Sequence, residues 1–369
     1  MISFNRHSFT DKELGIVKKI IKSGWLAHGE YSKKFEDEIV KFTGAKYCTL
    51  VSSCTAALHL ACLTLDLKKD DEVLVPAMTH TATSHVVEYT GAKAIFVDVN
   101  FVTGNINIEE IKKKITKKTR ALIIVHMAGK SCELDKILKI CKKNNIKLIE
   151  DCAHALGTTF NQKHVGNFGL AGCFSFYPTK QITTGEGGAL ITNDSKIYKK
   201  VKILKAFGID KDLSQRKKPG EYNVNSLGYN YRMTDFQAAL GYCQMIKYKQ
   251  NLQKRKNIAK QYINLLKKNK NIILPSYSSE DSFFIFQIIF KNKNKKKQIM
   301  KKFKLYKIGF SVHYERALPD MSYYKKKYNF GKKEFICSKN YGKQIISLPV
   351  YPDLKKKEIV KICELINSL

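Results

Sequence analysis

The chain has 369 residues, 44% of them hydrophobic, which is enough to bury one large core and a smaller second one and excludes a disordered chain. No apolar run reaches the roughly 18 residues of a membrane span, and the first residues lack the charged and then apolar pattern of a secretory signal, so we predict a cytoplasmic protein. The net charge of +34 arises largely from lysine runs without interleaved aromatic residues, which favours solvated helix faces over a nucleic-acid partner.

The ten cysteines are scattered along the chain and form no close Cys-x-x-Cys pair of the kind that metal and redox sites use. We therefore predict reduced thiols, most of them in the core, and no metal site. The cysteines are Cys48, Cys54, Cys62, Cys132, Cys141, Cys152, Cys173, Cys243, Cys337 and Cys363.

Short apolar runs alternate with amphipathic stretches from residue 45 to about residue 192, which predicts an α/β fold with parallel strands joined by crossover helices. Several runs are almost entirely apolar, as expected of strands that are covered on both faces. The predicted strands are residues 47–51, 72–75, 94–99, 121–125, 147–150, 172–176 and 189–192, and the predicted helices are residues 55–65, 108–115 and 133–144.

A stretch rich in Lys and Gln predicts one long helix over residues 234–269, ended by Pro275 and a Ser-rich turn. We place a domain boundary inside this helix, with a large domain over residues 1–245 and a smaller α+β domain over residues 246–369. Residues 283–290, 309–313 and 354–369 are the expected elements of the smaller domain.

Three segments in chain order suggest a binding site. Residues 52–58 (SSCTAAL) lie between a predicted strand and a predicted helix, where free N–H groups and the helix dipole suit a phosphate. The alternative is that Ser and Thr stand here only as helix N-caps, a position at which both are common. Residues 149–154 (IEDCAH) place Asp151 at the carboxyl end of a strand, where open parallel sheets bind ligands; the alternative is that Asp151 caps a helix.

The third segment presents a single lysine. Residues 174–180 (FSFYPTK) run from a strand into a turn that ends at Lys180, and the following Gly-Glu-Gly-Gly at residues 185–188 lets the backbone approach a ligand closely. A lysine that is partly buried near other cationic groups loses its proton more readily, and Schiff-base chemistry requires an unprotonated amine.

Taken together and in this order, these segments resemble the DegT/DnrJ/EryC1/StrS family of sugar aminotransferases, which have the fold-type I architecture of pyridoxal-5′-phosphate (PLP) dependent enzymes. The resemblance covers nearly the whole chain. It implies a large domain with a mostly parallel central sheet flanked by helices, and a smaller C-terminal α+β domain. Further matching segments are SGWLAHG at 23–29, PAMTHTAT at 76–83, GAKAIFVDV at 91–99, GYNYRM at 228–233, VHY at 312–314 and SLPVYP at 347–352.

The resemblance implies roles for individual residues in a catalytic cycle. Lys180 would bind PLP covalently and then carry a proton between the C4′ carbon of the cofactor and the sugar carbon. Asp151 would pair with the pyridinium N–H group, and His154 would lie near the ring hydroxyl. The residues expected to cradle the phosphate are Cys54, Thr55 and Ser175.

The resemblance also implies that Asn230 reaches the cofactor phosphate of the neighbouring subunit, so that the enzyme is a homodimer with composite sites. His80 stands where the family often has an aromatic residue stacked over the PLP ring, which leaves the stacking contact open. His313, and Arg232 from the partner subunit, are candidates for contact with the sugar, and a structural role is equally compatible with both.

The expected reaction transfers an amino group from an amino acid, with L-glutamate the expected donor, to a nucleotide-linked keto-sugar. His154 favours amination at C4 of a 4-keto-6-deoxy sugar over amination at C3 of a 3-keto sugar. A PLP-dependent sugar dehydratase is less favoured, because it would have histidine in place of Lys180. A regulatory protein without catalytic activity is less favoured too, because Lys180, Asp151 and Ser175 are all present.

Overall fold

The computed structural model describes residues 1–27, 29–211, 218, 220–331 and 333–369. His28, which belongs to one of the segments that carry the family resemblance, lies outside the described residues. The strands in chain order are β1 (Tyr47–Val51), β2 (Glu72–Pro76), β3 (Lys93–Val97), β4 (Thr119–Val125), β5 (Lys147–Asp151), β6 (Thr159–Phe160), β7 (Lys163–His164), β8 (Ala171–Ser175), β9 (Gly188–Thr192), β10 (Ile272–Ile273), β11 (Phe286–Phe290) and β12 (Ile345–Leu348).

A seven-stranded sheet with the order β1-β9-β8-β5-β4-β2-β3 forms the centre of the fold. Strands β8, β5, β4, β2 and β3 are parallel to one another, whereas β9 is antiparallel to both β1 and β8. The strands that the sequence predicts between residues 47 and 192 are all present, with ends shifted by at most two residues. The predicted α/β class with a mostly parallel sheet is confirmed.

Helices cover both faces of this sheet, so that its strands are buried on both sides. Ile124 belongs to the core on one face, and its neighbour Ile123 belongs to the core on the other. This explains why the strands are apolar throughout and do not alternate between apolar and polar residues. The helices of this part are α1 (Asp11–Ser23), α2 (Glu30–Thr43), α3 (Cys54–Leu63), α4 (Thr81–Glu88), α5 (Ile108–Lys114), α6 (Leu134–Lys143) and α7 (Ser195–Leu204).

The single long helix predicted over residues 234–269 is wrong, because the structure has two helices, α8 (Asp235–Ile246) and α9 (Tyr248–Leu266). Lys247 separates them with φ −94° and ψ 3°. Its amino group bonds to Glu13 at 2.5 Å and to the carbonyl of Ser8 at 3.1 Å, so the side chain at the break is anchored by residues distant in sequence, to which local helix propensity is blind. The predicted domain boundary between residues 245 and 246 falls in the last turn of α8.

A second, three-stranded sheet with the order β10-β11-β12 lies in the C-terminal part of the chain. It has a core of its own, in which Phe286 and Phe290 of β11 pack with Tyr262 of α9. The stretch that contains Leu318 and Tyr324 returns to the core of the large sheet. The helices of this part are α10 (Lys293–Leu305), α11 (Ser322–Tyr328), α12 (Ile336–Gln344) and α13 (Lys356–Asn367).

All ten cysteines are free, and nine of them are buried, with Cys337 at an intermediate exposure. The prediction that most of the cysteines lie in the core is therefore confirmed. Among the described residues, no helix combines the length and the apolar character needed to cross a membrane.

Candidate active site

A cavity of about 540 Å³ lies at the carboxyl ends of the parallel strands β4, β5 and β8. This is the edge at which open α/β sheets bind ligands, because the chain leaves the sheet there and its loops diverge. The residues singled out in the sequence that line this cavity are Cys54, Thr55, His80, Asp151, His154, Ser175, Lys180 and His313.

The turn that presents Lys180 follows directly from the end of β8. The backbone N–H of Lys180 donates to the carbonyl of Tyr177 at 2.9 Å, which closes the turn over Pro178 and Thr179. The chain then returns under Phe176, whose carbonyl accepts the N–H of Thr184 at 3.0 Å. The lysine is therefore carried by a turn that is fixed at both ends to the sheet.

Lys180 points its amino group into the cavity, 4.7 Å from the ring centroid of Phe284. Burial lowers the pKa of this amine to about 8, and the nearby Cys54 and Asp151 oppose the shift. A larger fraction of the amine is therefore neutral near pH 7 than for an exposed lysine, which suits a group that attacks a carbonyl.

Asp151 ends β5, and its buried carboxylate is held from three sides. One oxygen accepts the hydroxyl of Thr83 at 2.9 Å, and the other accepts the N–H of Ala153 at 3.0 Å and lies 3.9 Å from the sulfur of Cys54. Burial raises its pKa, while the hydrogen bonds and the charge of Lys180 act in the opposite direction. No α-helix begins at Asp151 in the described structure, so the interpretation of this residue as a helix cap does not apply.

The predicted phosphate turn lies at the start of α3. Ser53 caps this helix, because its hydroxyl accepts the N–H of Ala56 at 3.0 Å, and Cys54 and Thr55 form the first turn. The helix interior offers no acceptor to the N–H groups of a first turn, so they can bind an anion. The N-cap interpretation is confirmed for Ser53, and Cys54 and Thr55 line the cavity, where phosphate binding stays a prediction.

Gly188 at the start of β9 explains the Gly-Glu-Gly-Gly sequence. A Cβ atom at this position would lie 2.4 Å from the carbonyl carbon of Ser53 and 2.5 Å from the backbone nitrogen of Cys54. Only glycine allows β9 to approach the turn of α3 this closely.

A cluster of aromatic and imidazole rings forms the wall opposite Asp151. His154 stacks on Phe284 with ring centroids 4.5 Å apart, and its Nε2 lies 3.4 Å from the hydroxyl of Tyr314. Burial lowers the pKa of His154 well below its usual value and that of His313 to about 3, so both rings are neutral. His80 caps α4, where its Nδ1 accepts the N–H of Ala82 at 3.2 Å.

Asn230 and Arg232 do not line this cavity. Asn230 is exposed, and its side-chain oxygen accepts a hydrogen bond from Nε of Arg232 at 3.1 Å. The Arg232 guanidinium lies over the ring of Phe207, 5.0 Å from its centroid. Within one chain, therefore, neither residue reaches the space that Lys180 and Asp151 share.

Sequence reasoning missed several residues at the site. Thr83 binds Asp151, Phe284 lies against Lys180 and His154, and Tyr314 and Glu186 line the cavity. Tyr314 and Glu186 lie inside segments that carry the family resemblance, but neither of them was assigned a role at the site from the sequence. Phe284 had no local signal, because it comes from the C-terminal part of the chain.

The described residues contain one buried group with the geometry of a metal site, formed by His126, Glu150 and Cys152. The carboxylate of Glu150 already accepts the N–H groups of Gly166 and Phe168 at 2.7 Å each, and His126 lies 3.1 Å from it. These hydrogen bonds occupy the oxygens that a metal would need.

The residues around the cavity fit PLP. The Lys180 amine can take the aldehyde, the Asp151 carboxylate can take the ring nitrogen, and the start of α3 can take the phosphate. Gly188 lets β9 pack directly against the backbone at the start of α3, which supports this cradle from behind. The buried Nδ1 of His154 has no hydrogen-bond partner among the described residues, which leaves that ring free to adjust to a bound group.

Comparison with known proteins agrees with this geometry. The sequence profile of the DegT/DnrJ/EryC1/StrS aminotransferase family matches residues 8–367. GDP-perosamine synthase of Escherichia coli O157:H7 is 34% identical over 371 aligned residues, which cover 98% of this chain and 96% of that protein.

Two solved structures extend the comparison to the fold. Helicobacter pylori PseC, an aminotransferase involved in the biosynthesis of pseudoaminic acid, superposes with a TM-score of 0.93 at 28% identity, covering 100% of this chain and 98% of its own. Spr1654 of Streptococcus pneumoniae, provisionally assigned as a sugar aminotransferase and solved in its PMP form, gives a TM-score of 0.94 at 28% identity with the same coverage. A PLP form of Spr1654 is also known.

Proposed function

Because the chain belongs to the DegT/DnrJ/EryC1/StrS aminotransferase family and has the fold-type I architecture of PLP-dependent transferases, we propose that it transfers an amino group from L-glutamate to a keto-sugar carried on a nucleotide. The observation that carries the proposal is the pair of Lys180 and Asp151, which face one cavity beside the start of α3. A histidine in place of Lys180 would favour a dehydratase instead, and this chain has the lysine.

Each residue of the site has a task in this proposal. The chemistry that PLP supplies when bound is an aldehyde for amines and a ring that accepts electrons. Lys180 would hold the cofactor. Its Nζ would carry a proton from the α-carbon of the donor to the C4′ carbon of the cofactor in the first half-reaction, and from C4′ to the sugar carbon in the second. Asp151 keeps the ring nitrogen protonated, and His154 orients the ring. The first turn of α3 and Ser175 bind the phosphate.

The proposal extends to the position of the new amino group. We favour amination at C4 over amination at C3 because His154 stands in the sequence EDCAHALG. The name of the GDP-perosamine synthase relative supports a nucleotide-linked sugar as the substrate. The proposed sugar contacts are His313, whose neutral ring lies at the cavity wall, and Arg232 of the partner subunit.

We further propose a homodimer in which Asn230 of one subunit completes the phosphate site of the other. Support comes from the position of Asn230, which is exposed and outside the cavity of its own chain. Phe207 and Leu227 of the same region are also exposed, and apolar side chains of this size favour burial against another surface.

The test is an assay of the purified protein with PLP, L-glutamate and a panel of nucleotide-linked keto-sugars with the keto group at C3 or C4 and with UDP, GDP or dTDP. Mass spectrometry and NMR of the product identify the aminated carbon. The proposal predicts an amino sugar and 2-oxoglutarate in equal amounts. If glutamate is not consumed with any member of the panel, or if a deoxy-sugar forms without transfer of nitrogen, the proposal is wrong.

A further inference from the structure

The first residues of the chain cross from the small sheet to the turn that carries Lys180. Ile2 pairs with the small domain, since its N–H donates to the carbonyl of Lys307 at 2.9 Å and its carbonyl accepts the N–H of Gly309 at 2.7 Å. A Cβ at Gly309 would lie 2.4 Å from the backbone nitrogen of Phe4, so the two segments are in close contact. We call residues 2–8 the N-terminal strap.

The strap then binds the carbonyl oxygen of Pro178, two residues before Lys180. The ring Nε2 of His7 lies 2.7 Å from this oxygen and the side-chain nitrogen of Asn5 lies 3.1 Å from it. The same Asn5 nitrogen also lies 3.1 Å from Nε2 of His7. A carbonyl can only accept, so His7 donates to Pro178 in the tautomer that carries the hydrogen on Nε2. Pro178 is a central residue of the turn, so the strap contacts the backbone that carries Lys180 directly.

The same strap also supports the wall on the other side of the cavity. The ring of Phe4 stacks on the ring of His313, with centroids 5.9 Å apart and an angle of 24° between the planes. The Nδ1 of His313 lies 2.9 Å from the hydroxyl of Ser347. Phe4 therefore covers one face of a ring whose position is otherwise set by a single hydrogen bond and by edge contacts.

We propose that the N-terminal strap is a positioning element for the reaction: His7 and Asn5 set the direction of Lys180, and Phe4 sets the ring of His313 that faces the sugar. The inference rests on the proposed function, because it assigns the strap a separate effect on the half-reaction with glutamate and on the half-reaction with the sugar. Lys180 acts in both half-reactions, whereas His313 acts only in the one with the sugar.

The experiment compares His7→Leu, which removes the donor to Pro178, with His7→Gln, which can place an N–H group at a similar distance. Ser8→Ala is the matched control, since Ser8 belongs to the strap and bonds to Asp353 but not to the lysine turn. The readouts are the single-turnover rate with glutamate alone, the KM for the sugar, and hydrogen exchange of the Lys180 amide in the cofactor-free protein.

We expect His7→Leu to slow the glutamate half-reaction by roughly 10- to 100-fold, because a lysine displaced by about 1 Å loses much of its advantage of position. The Lys180 amide should exchange faster in this variant. His7→Gln should recover most of the rate, and Ser8→Ala should match the wild type. Asn5→Leu should repeat the effect more weakly and serves if His7→Leu does not fold.

Phe4→Leu should leave the glutamate half-reaction unchanged and raise the KM for the sugar by roughly 10-fold, whereas Phe4→Tyr should keep the wild-type KM. The inference would be overturned if His7→Leu reacted with glutamate at the wild-type rate, or if Ser8→Ala lost as much of that rate as His7→Leu. A wild-type protein that does not react with glutamate would instead refute the proposed function, and the exchange of the Lys180 amide would still test the strap.

Discussion

The surroundings of Lys180 combine burial with nearby acidic groups, and both affect its proton. Burial favours the neutral amine, whereas Cys54 and Asp151 favour the charged one, and the pKa of about 8 is the balance. Replacing Lys180 removes the attachment point but leaves the phosphate turn intact. PLP should therefore still bind, but without a covalent bond.

We predict that the wild-type protein with PLP absorbs at about 410–430 nm and that borohydride fixes the cofactor to Lys180. Lys180→Ala should lose both the fixation and the turnover. Lys163→Ala, which changes an exposed lysine, is the control. Peptide mapping after reduction checks the position, and a cofactor found on another lysine would contradict the assignment.

The substitution Asp151→Asn removes the charge of the side chain and keeps its shape. Asp151→Asn keeps an oxygen that can accept the N–H of Ala153, so the fold and PLP binding should persist. Turnover should fall by roughly 100-fold or more, because an unprotonated ring nitrogen accepts electrons less well. Steady-state rates and cofactor titration check this, with the exposed Asp37→Asn as the control. A variant that keeps most of the wild-type rate would remove Asp151 from this role.

Most of the residues that sequence reasoning brought to the cavity follow the end of a strand or start the helix after it. Asp151 and Lys180 could be placed because parallel strands end at the same edge of a sheet. His313 is an exception, because only the family resemblance assigned it to the site, and the adjacent Tyr314 received no role. Phe284 had no signal of either kind, since it reaches Lys180 from the C-terminal part of the chain.

At the level of secondary structure, β9 and α3 depend on each other through Gly188. Gly188→Ala would place a methyl group against the backbone of Ser53, and backbone cannot rotate away as a side chain can. We predict a dissociation constant for PLP raised by roughly 10-fold or more, with a lower melting temperature, from an overpacking cost of about 1–3 kcal/mol.

The control for this prediction is Gly15→Ala in α1, where an added Cβ meets no atom within 4 Å. That variant should bind PLP as the wild type does and should not be destabilised, since alanine favours a helix more than glycine. Cofactor fluorescence titration and thermal unfolding of both variants decide the matter. Equal affinities in Gly188→Ala and the wild type would show that the close contact is not needed for binding.

The break between α8 and α9 illustrates why the sequence misled at this scale. Residues 234–269 contain no proline or strong helix breaker near the break, and the polar, Lys- and Gln-rich composition suits one continuous helix. At the break the Lys247 amine bonds to Glu13 and Ser8, which are distant in sequence. Contacts of this kind cannot be predicted from local propensity.

On the scale of the whole molecule, the buried His164 should make the free energy of unfolding depend on pH. The ring of His164 donates from Nδ1 to the carbonyl of Val165 and accepts the N–H of Gly157 at 2.8 Å, so a second proton would remove the acceptor. Burial lowers the pKa of His164 from 6.5 to about 4. Below pH 6.5 the unfolded chain binds a proton that the folded chain does not bind until about pH 4, and stability falls as the pH falls.

The predicted loss over this range is about 3 kcal/mol for His164 alone. His164→Gln should therefore have a free energy of unfolding that depends less on pH by about this amount between about pH 6.5 and about pH 4. Urea unfolding of both proteins without cofactor over this pH range measures the difference. Parallel curves for the two proteins would contradict it.

The proposed homodimer leads to a complementation test. Lys180→Ala and an Asn230 variant such as Asn230→Asp should each be inactive, yet a mixed dimer regains one site with both residues. Random exchange of equal amounts should restore about a quarter of the wild-type activity. Mixing each variant with itself is the control. Absence of recovery despite proven subunit exchange, or an active monomer in sedimentation, would leave Asn230 a local structural residue.

The pairing of β1 with β9 has a consequence for the order in which the protein is made. Tyr47 leaves the ribosome early, but its partner Thr192 is synthesised much later, and Gly188 must arrive before the turn of α3 is enclosed. Closing such a distant pair is slow, because the intervening chain must be ordered first. We expect nascent chains that end before β9 to fail to retain PLP, so that capture of the cofactor would mark the moment at which the sheet closes.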